Sequence, residues 1–176
     1  VEEVKDISEV VDINEIGWIE LLQRSEKIDS LCEDFTITKA NNSNVRFNDN
    51  AGITYQSDLG DIRRPSLSRF SLGQLCSKIG VPAQYISKCV NNGMIDLAQD
   101  NVNSWLEDYN KNLFIREYDG KVRGVLSTKY SVCDSSEILQ VIDDVIDLHK
   151  YKVKGSFMNE ERLHLRLVDK TPLPIN

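Results

Sequence analysis

Asp119-Gly120 stands between two runs of alternating character, from Leu113 to Tyr118 and from Lys121 to Thr128. An Asp-Gly pair in that setting is the strongest short-range signal for a tight β-hairpin. A two-residue loop fixes the register, so Tyr118 is expected opposite Lys121, Arg116 opposite Arg123 and Phe114 opposite Val125. These six side chains share one face. The other face carries Leu113, Ile115, Val122, Gly124 and Leu126, with Glu117 near the turn, and is the side for a core. Two arginines directly opposite each other repel, by a few tenths of a kcal/mol up to about 1. The pair therefore points to an anion lying over its face.

A second pair of alternating runs follows. Tyr151 to Phe157 sets Lys152, Lys154 and Ser156 on one side, and Arg162 to Val168 sets Arg162, His164 and Arg166 outward with Leu163, Leu165 and Leu167 inward. Between the two hairpins, Asp134-Ser-Ser-Glu137 reads as a capping-box-like helix start. The helix behind it carries Ile138, Leu139, Val141, Ile142, Val145, Ile146 and Leu148, with Asp143, Asp144 and Asp147 on its exposed side. The predicted fold class is α+β: an antiparallel sheet in a β-β-α-β-β unit over 113–168, covered by the long helix.

Upstream, residues 1–13 read as an arm. Asn14 is expected to cap a helix running to about Leu31, with Ile16, Ile19, Leu22, Ile28 and Leu31 as its stripe and Trp18 in the core. Phe35–Lys39, Val45–Phe47 and Ile53–Tyr55 suggest a small meander. The loop from Ser57 to Arg69 places Arg63, Arg64 and Arg69 among serines, a second candidate anion contact. A helical hairpin occupies 71–92: Ser71 as cap, Leu72, Leu75, Cys76 and Ile79 inward, Gly80-Val81-Pro82 in the turn, then Tyr85, Ile86, Cys89 and Val90. Two forms fit it. In a DNA-binding helix-turn-helix, Gln84, Tyr85, Ser87 and Lys88 would face DNA. The second helix has little basic charge for that role, which favours an ordinary αα-hairpin. A third helix, Met94–Tyr109, is expected to bury Ile95, Leu97, Val102, Trp105 and Leu106. Domain organisation is thus expected as a single α+β domain over 14–170, with 171–176 as the start of a linker to a further part.

Composition narrows the function classes. Up to Asp61 there are 5 Lys and Arg against 14 Asp and Glu; from Ile62 onward there are 16 against 14, so the overall charge of −7 hides a more basic remainder. No apolar run reaches the roughly 18 residues of a membrane span. Cys32, Cys76, Cys89 and Cys133 form no C-x-x-C, and His149 and His164 lie near none of them, so no zinc spacing is present and no metal or cofactor is expected. The chain lacks a Walker loop, a G-x-S-x-G and an H-E-x-x-H, and Asp143 and Asp144 diverge on their helix. No catalytic residues are assigned, and the balance is against an enzyme. The positive constellation is the open face of the expected four-stranded sheet, with Arg116, Tyr118, Lys121, Arg123, Lys152, Lys154, Arg162 and Arg166 as nucleic-acid contacts and Phe114 and His164 beside them. Cations meet phosphates there and aromatic rings stack bases; solvated lysines that blunt aggregation are the plainer account of the same face.

Two blocks carry a resemblance. Phe70-Ser-Leu-Gly-Gln-Leu-Cys-Ser-Lys-Ile-Gly-Val-Pro-Ala-Gln-Tyr85 is one, and Arg116-Glu-Tyr-Asp-Gly-Lys-Val-Arg-Gly-Val-Leu-Ser-Thr-Lys-Tyr130, followed by Ser136-Glu-Ile-Leu139, is the other. Together they resemble a phage/plasmid-related family of large proteins described only as a domain of unknown function, over roughly Trp18 to Val168. Lys129 stands where the pattern leads one to expect arginine, and an ammonium cannot make a guanidinium's bidentate contact. The resemblance implies a mobile-element origin and a bacterial cytoplasmic setting. The hairpin-helix-hairpin architecture is also similar to that of Rad52-like phage single-strand annealing proteins. The resulting expectation is a phage or plasmid DNA-binding protein that takes single-stranded DNA on a basic, aromatic sheet face, alone or as a homo-oligomer, in recombination or replication. The alternative is a protein-interaction or host-defence-interference factor that meets a host or phage protein through the acidic N-terminal third.

Overall fold

A computed structural model of the chain describes residues 17–38, 45–146, 150–158 and 163–171. Its first half comprises helix α1 (Trp18–Ser30), strands β1 (Cys32–Ile37), β2 (Arg46–Phe47), β3 (Ile53–Gln56), β4 (Ile62–Arg63) and β5 (Ser66–Leu67), and helices α2 (Arg69–Ile79) and α3 (Ala83–Asn91). Then come α4 (Ile95–Asp108), β6 (Leu113–Tyr118), β7 (Lys121–Ser127), α5 (Ser135–Val145), β8 (Tyr151–Met158) and β9 (Leu163–Asp169). The α+β class is as expected, with antiparallel pairing dominant. Contacts gather into two compact units, one spanning Cys32–Ser131 and one that joins α1 to α5, β8 and β9.

In the first unit the Asp-Gly turn forms as its composition dictates. Asp119 and Gly120 both take positive φ, 47° and 71°, the geometry whose twist matches the flanking strands. Tyr118 pairs with Lys121 as expected, but the ladder then slips: Glu117 faces Val122, Arg116 faces Gly124 and Phe114 faces Leu126. Arg123 is the extra residue of a β-bulge. The slip moves Val125 into the core beside Leu113, Ile115 and Val122, and turns Leu126 and Gly124 to the opposite face. Arg116 and Arg123 are therefore not partners.

β6 and β7 sit in the middle of a sheet of order β1-β6-β7-β5, with β5 parallel to β7. β1 pairs with β6 and not with the expected meander, whose third strand is instead β4, in the order β2-β3-β4. Gly52 joins the two parts by bridging to Ser66; a Cβ there would fall 2.5 Å from the Pro65 carbonyl oxygen, which only glycine avoids. Past β5, the open edge of β7 is met by α2, where Gln74 Oε1 accepts the Val125 N–H at 2.8 Å.

α2 starts one turn earlier than expected. Ser68 is the cap and Ser71 its reciprocal partner, each backbone N–H held by the other's hydroxyl. Gly80 ends the helix in the left-handed conformation, and Ile86 is buried on α3. On α4 the buried seam is Ala98, Val102 and Leu106, and Leu97 and Trp105 face solvent. The seam runs at i, i+4 through the small Ala98, which rotates the larger residues beside it outward.

The second unit has a small core: Leu21 and Leu139 are buried, with Trp18, Leu22, Leu163 and Leu165 packed against them. Ile19 on α1 and Leu31 at its C-terminal cap are exposed, so the expected stripe is displaced; Gly17 is the N-terminal flank and Asn14 lies outside the described residues. Trp18 is partly covered and its indole N–H reaches Asp143 Oδ1 at 2.6 Å. Asp134 occupies the cap position of α5 but makes no capping bond. Asp29 of α1 supplies it, accepting the Ser136 N–H at 2.8 Å. β8 and β9 pair antiparallel in a sheet of their own, and here too one residue is extra: Val153 faces Leu167 and Gly155 faces Arg166, leaving Lys154 in the bulge. The slip turns Ser156 inward, where its hydroxyl has no hydrogen-bond partner among the described residues. The two hairpins thus belong to separate sheets, and the expected continuous cationic face over all four strands does not form. No described helix is long and apolar enough to cross a membrane.

Candidate nucleic-acid interface

Backbone pairing decides which cations are committed to the fold. On the outer face of the first sheet, Arg116 is directly opposite Asp34 of β1, with Nε 3.6 Å from the carboxylate. Arg116 and Tyr118 are each 8 % exposed, and neither offers itself to a ligand. Arg123, in the bulge, is half-buried and donates from Nη1 to the Cys32 sulfur at 3.1 Å. Lys121 is half-buried beside the turn, and Phe114 lies against the Tyr130 ring at 6.2 Å between centroids.

The inner face holds a cluster that alternation alone does not reveal. Glu33 and Glu117 are directly opposite each other on β1 and β6, a like-charge pair that repels unless a cation joins it. Arg63 of β4 does so, bonding Glu33 and reaching Glu117 Oε2 at 2.6 Å, with its guanidinium 4.5 Å from the Phe35 ring centroid. The Tyr55 hydroxyl of β3 donates to the other Glu117 oxygen. Burial first, then Glu117, pushes the Tyr55 hydroxyl well above its ordinary pKa, and the bond to Glu117 raises that of Arg63. Arg63 is therefore engaged by two carboxylates and is not an anion contact of the kind expected. The sequence carried a signal for this: an acid on the apolar face of a strand needs a partner. Arg64 and Arg69 are exposed, Arg69 as the first residue of α2 where the helix dipole disfavours a cation.

The outer face of β8–β9 differs. Lys152, Lys154, His164 and Arg166 are all exposed, while Leu163, Leu165 and Leu167 turn the other way. Lys152 pairs with Val168 and Arg166 with Gly155, so the cations stand along one side of a two-stranded ribbon, with Lys154 at the bulge. Arg162 lies outside the described residues. At the end of β9, Asp169 is held below the usual carboxylate range, first by the Thr171 backbone N–H and also by Lys150. On α3, Gln84, Tyr85 and Lys88 are exposed and Ser87 half-buried; the bond with Cys89 raises the Tyr85 hydroxyl.

Among the described residues, no group of His, Cys, Asp and Glu side chains is arranged to hold a metal ion. None of Cys32, Cys76, Cys89 and Cys133 is in a disulfide, and burial pushes Cys76 up to about 11. Compared with family models, with curated proteins and with solved structures, the chain matches none.

Proposed function

We propose that this chain is a non-enzymatic nucleic-acid-binding protein that lays single-stranded DNA along the outer face of β8–β9, in the service of phage or plasmid recombination or replication within a bacterial host cell. What supports the reading is one observation: Lys152, Lys154, His164 and Arg166 are exposed together on one side of a ribbon whose other side is leucine. Arg116 and Arg63, by contrast, are held by carboxylates inside the fold. Binding of this kind is dominated by phosphates, tolerant of sequence and steeply salt-dependent.

Anisotropy of a labelled single-stranded oligonucleotide, titrated at about 50 and 200 mM salt, tests it. The Lys152→Ala, Lys154→Ala, Arg166→Ala triple variant is expected to bind at least about tenfold more weakly, with the salt slope reduced by about 0.7 for each phosphate that is no longer neutralised. Lys88→Ala on α3 is expected to change nothing. Equal affinity of the triple variant and the parent chain refutes the assignment, and weakening confined to Lys88→Ala transfers it to the helix pair.

A further inference from the structure

The apolar sector of α5 is wider than the surface that covers it. Leu139 is buried among Leu21, Trp18 and the β9 leucines. Ile138, Val141 and Val145, at i, i+3 and i+7, are 41, 62 and 78 % exposed. They form one row along two turns, about 10 Å of helix. Glu137 and Asp144, one heptad apart and both exposed, run beside Val141 along the outer border of that row. From Ser135 to Ile146 the chain has no lysine or arginine. Past Glu137 and Asp144 on that same side, Asp143 and Gln140 are engaged by Trp18 and Glu26 of α1, and the row's other border is the half-buried Ile142.

An apolar row with an acidic edge sets the chemistry of what it can take. A second copy of α5 would bring an all-acidic edge against another, which opposes association. A helix with apolar residues at i, i+3 or i+4 and i+7 and lysine or arginine alongside would bury the row and neutralise Glu137 and Asp144 together. We infer that α5 is the docking surface for a basic amphipathic helix of a protein partner, on a different face of the chain's chemistry from the cationic ribbon proposed above.

The probe is a labelled synthetic peptide of about 14 residues, four helical turns, with leucine at the row positions and lysine elsewhere, titrated into the full chain by anisotropy and followed by methyl NMR. It is expected to shift the Val141 and Val145 methyls and to bind at least about tenfold tighter than the same peptide with glutamate for lysine. Val141→Asp with Val145→Asp, both on exposed positions, is expected to abolish the shifts, whereas the Lys152, Lys154, Arg166 triple variant is expected to leave them intact. Equal binding of a peptide with scrambled leucine positions overturns the inference. So does a dimer, seen by sedimentation, that Val145→Asp dissolves, since a second copy is then the occupant. Nuclear Overhauser contacts from the Val145 methyls to another stretch of the same chain, without peptide, overturn it equally.

Discussion

Glu117 is the residue on which the first unit's two sheets turn. Its carboxylate takes the Tyr55 hydroxyl on one oxygen and Arg63 on the other, and it is 2 % exposed. Removing one member of a buried pair leaves the other charge desolvated, which costs about 3–5 kcal/mol. Glu117→Ala is therefore expected to destabilise the chain by about that amount in urea unfolding, and Tyr55→Phe by about 1–3 kcal/mol. Because the groups share one acceptor, Tyr55→Phe combined with Glu117→Gln is expected to cost less than the sum of the two; strict additivity would show that they act separately. Cys76 gives a pH-dependent expectation. Its folded pKa, about 11, lies above the ordinary thiol value, so folding favours the protonated form. That contribution is complete below the unfolded value near 9 and is lost as pH rises towards 11. Tm is expected to fall over this window, and to fall less in Cys76→Ala. At pH 8 iodoacetamide is expected to modify the exposed Cys133 first and to reach the buried Cys76 and Cys89 after unfolding, as peptide mass spectra would report.

At the scale of elements, the hairpin shows what local chemistry dictates and where it stops. Gly120 at φ 71° is required by the turn, and Gly120→Ala is expected to cost about 1–2 kcal/mol in chemical denaturation. That turn was legible because two residues determine it. The helical hairpin was legible for the same reason, through Gly80 and Pro82. The bulges were not, because alternation assumes one residue per rung. Both nevertheless sit beside an isolated strand glycine, Arg123-Gly124 and Lys154-Gly155, and such a glycine is a bulge signal in its own right. Missing the first gave a false arginine pair across an anion; the fold contains a glutamate pair across an arginine. In the helices the apolar arcs were visible, but the part of each arc that is covered depends on distant neighbours. Asp29 capping α5, 107 residues away, left no local trace.

Taken as a whole, the chain spends its apolar residues unevenly. The first unit buries a core that runs from Phe35 through the three helices to Val125, whereas the second rests on Leu21 and Leu139. Local opening free energies follow buried apolar contact. Hydrogen exchange is therefore expected to be slowest in β6, β7 and α2 and measurably faster in α5, β8 and β9; equal protection would mean that the second core is larger than its side chains indicate. The candidate ribbon lies in the unit with the smaller core, the part of a fold from which binding surfaces are commonly drawn. Nothing in composition announced the division, since each unit's boundary falls at Leu31–Cys32 and Ser131–Val132 without a proline or glycine tract. The bulges finally bear on chain length. A strand normally cannot lose a residue, because everything beyond the gap changes sides. Arg123 and Lys154 are each supernumerary to their ladders, so excising either one closes the bulge and leaves every other rung with its present partner. Descendants of this gene could shorten at these two positions and keep the fold, whereas a deletion at Ile115 would exchange core for surface.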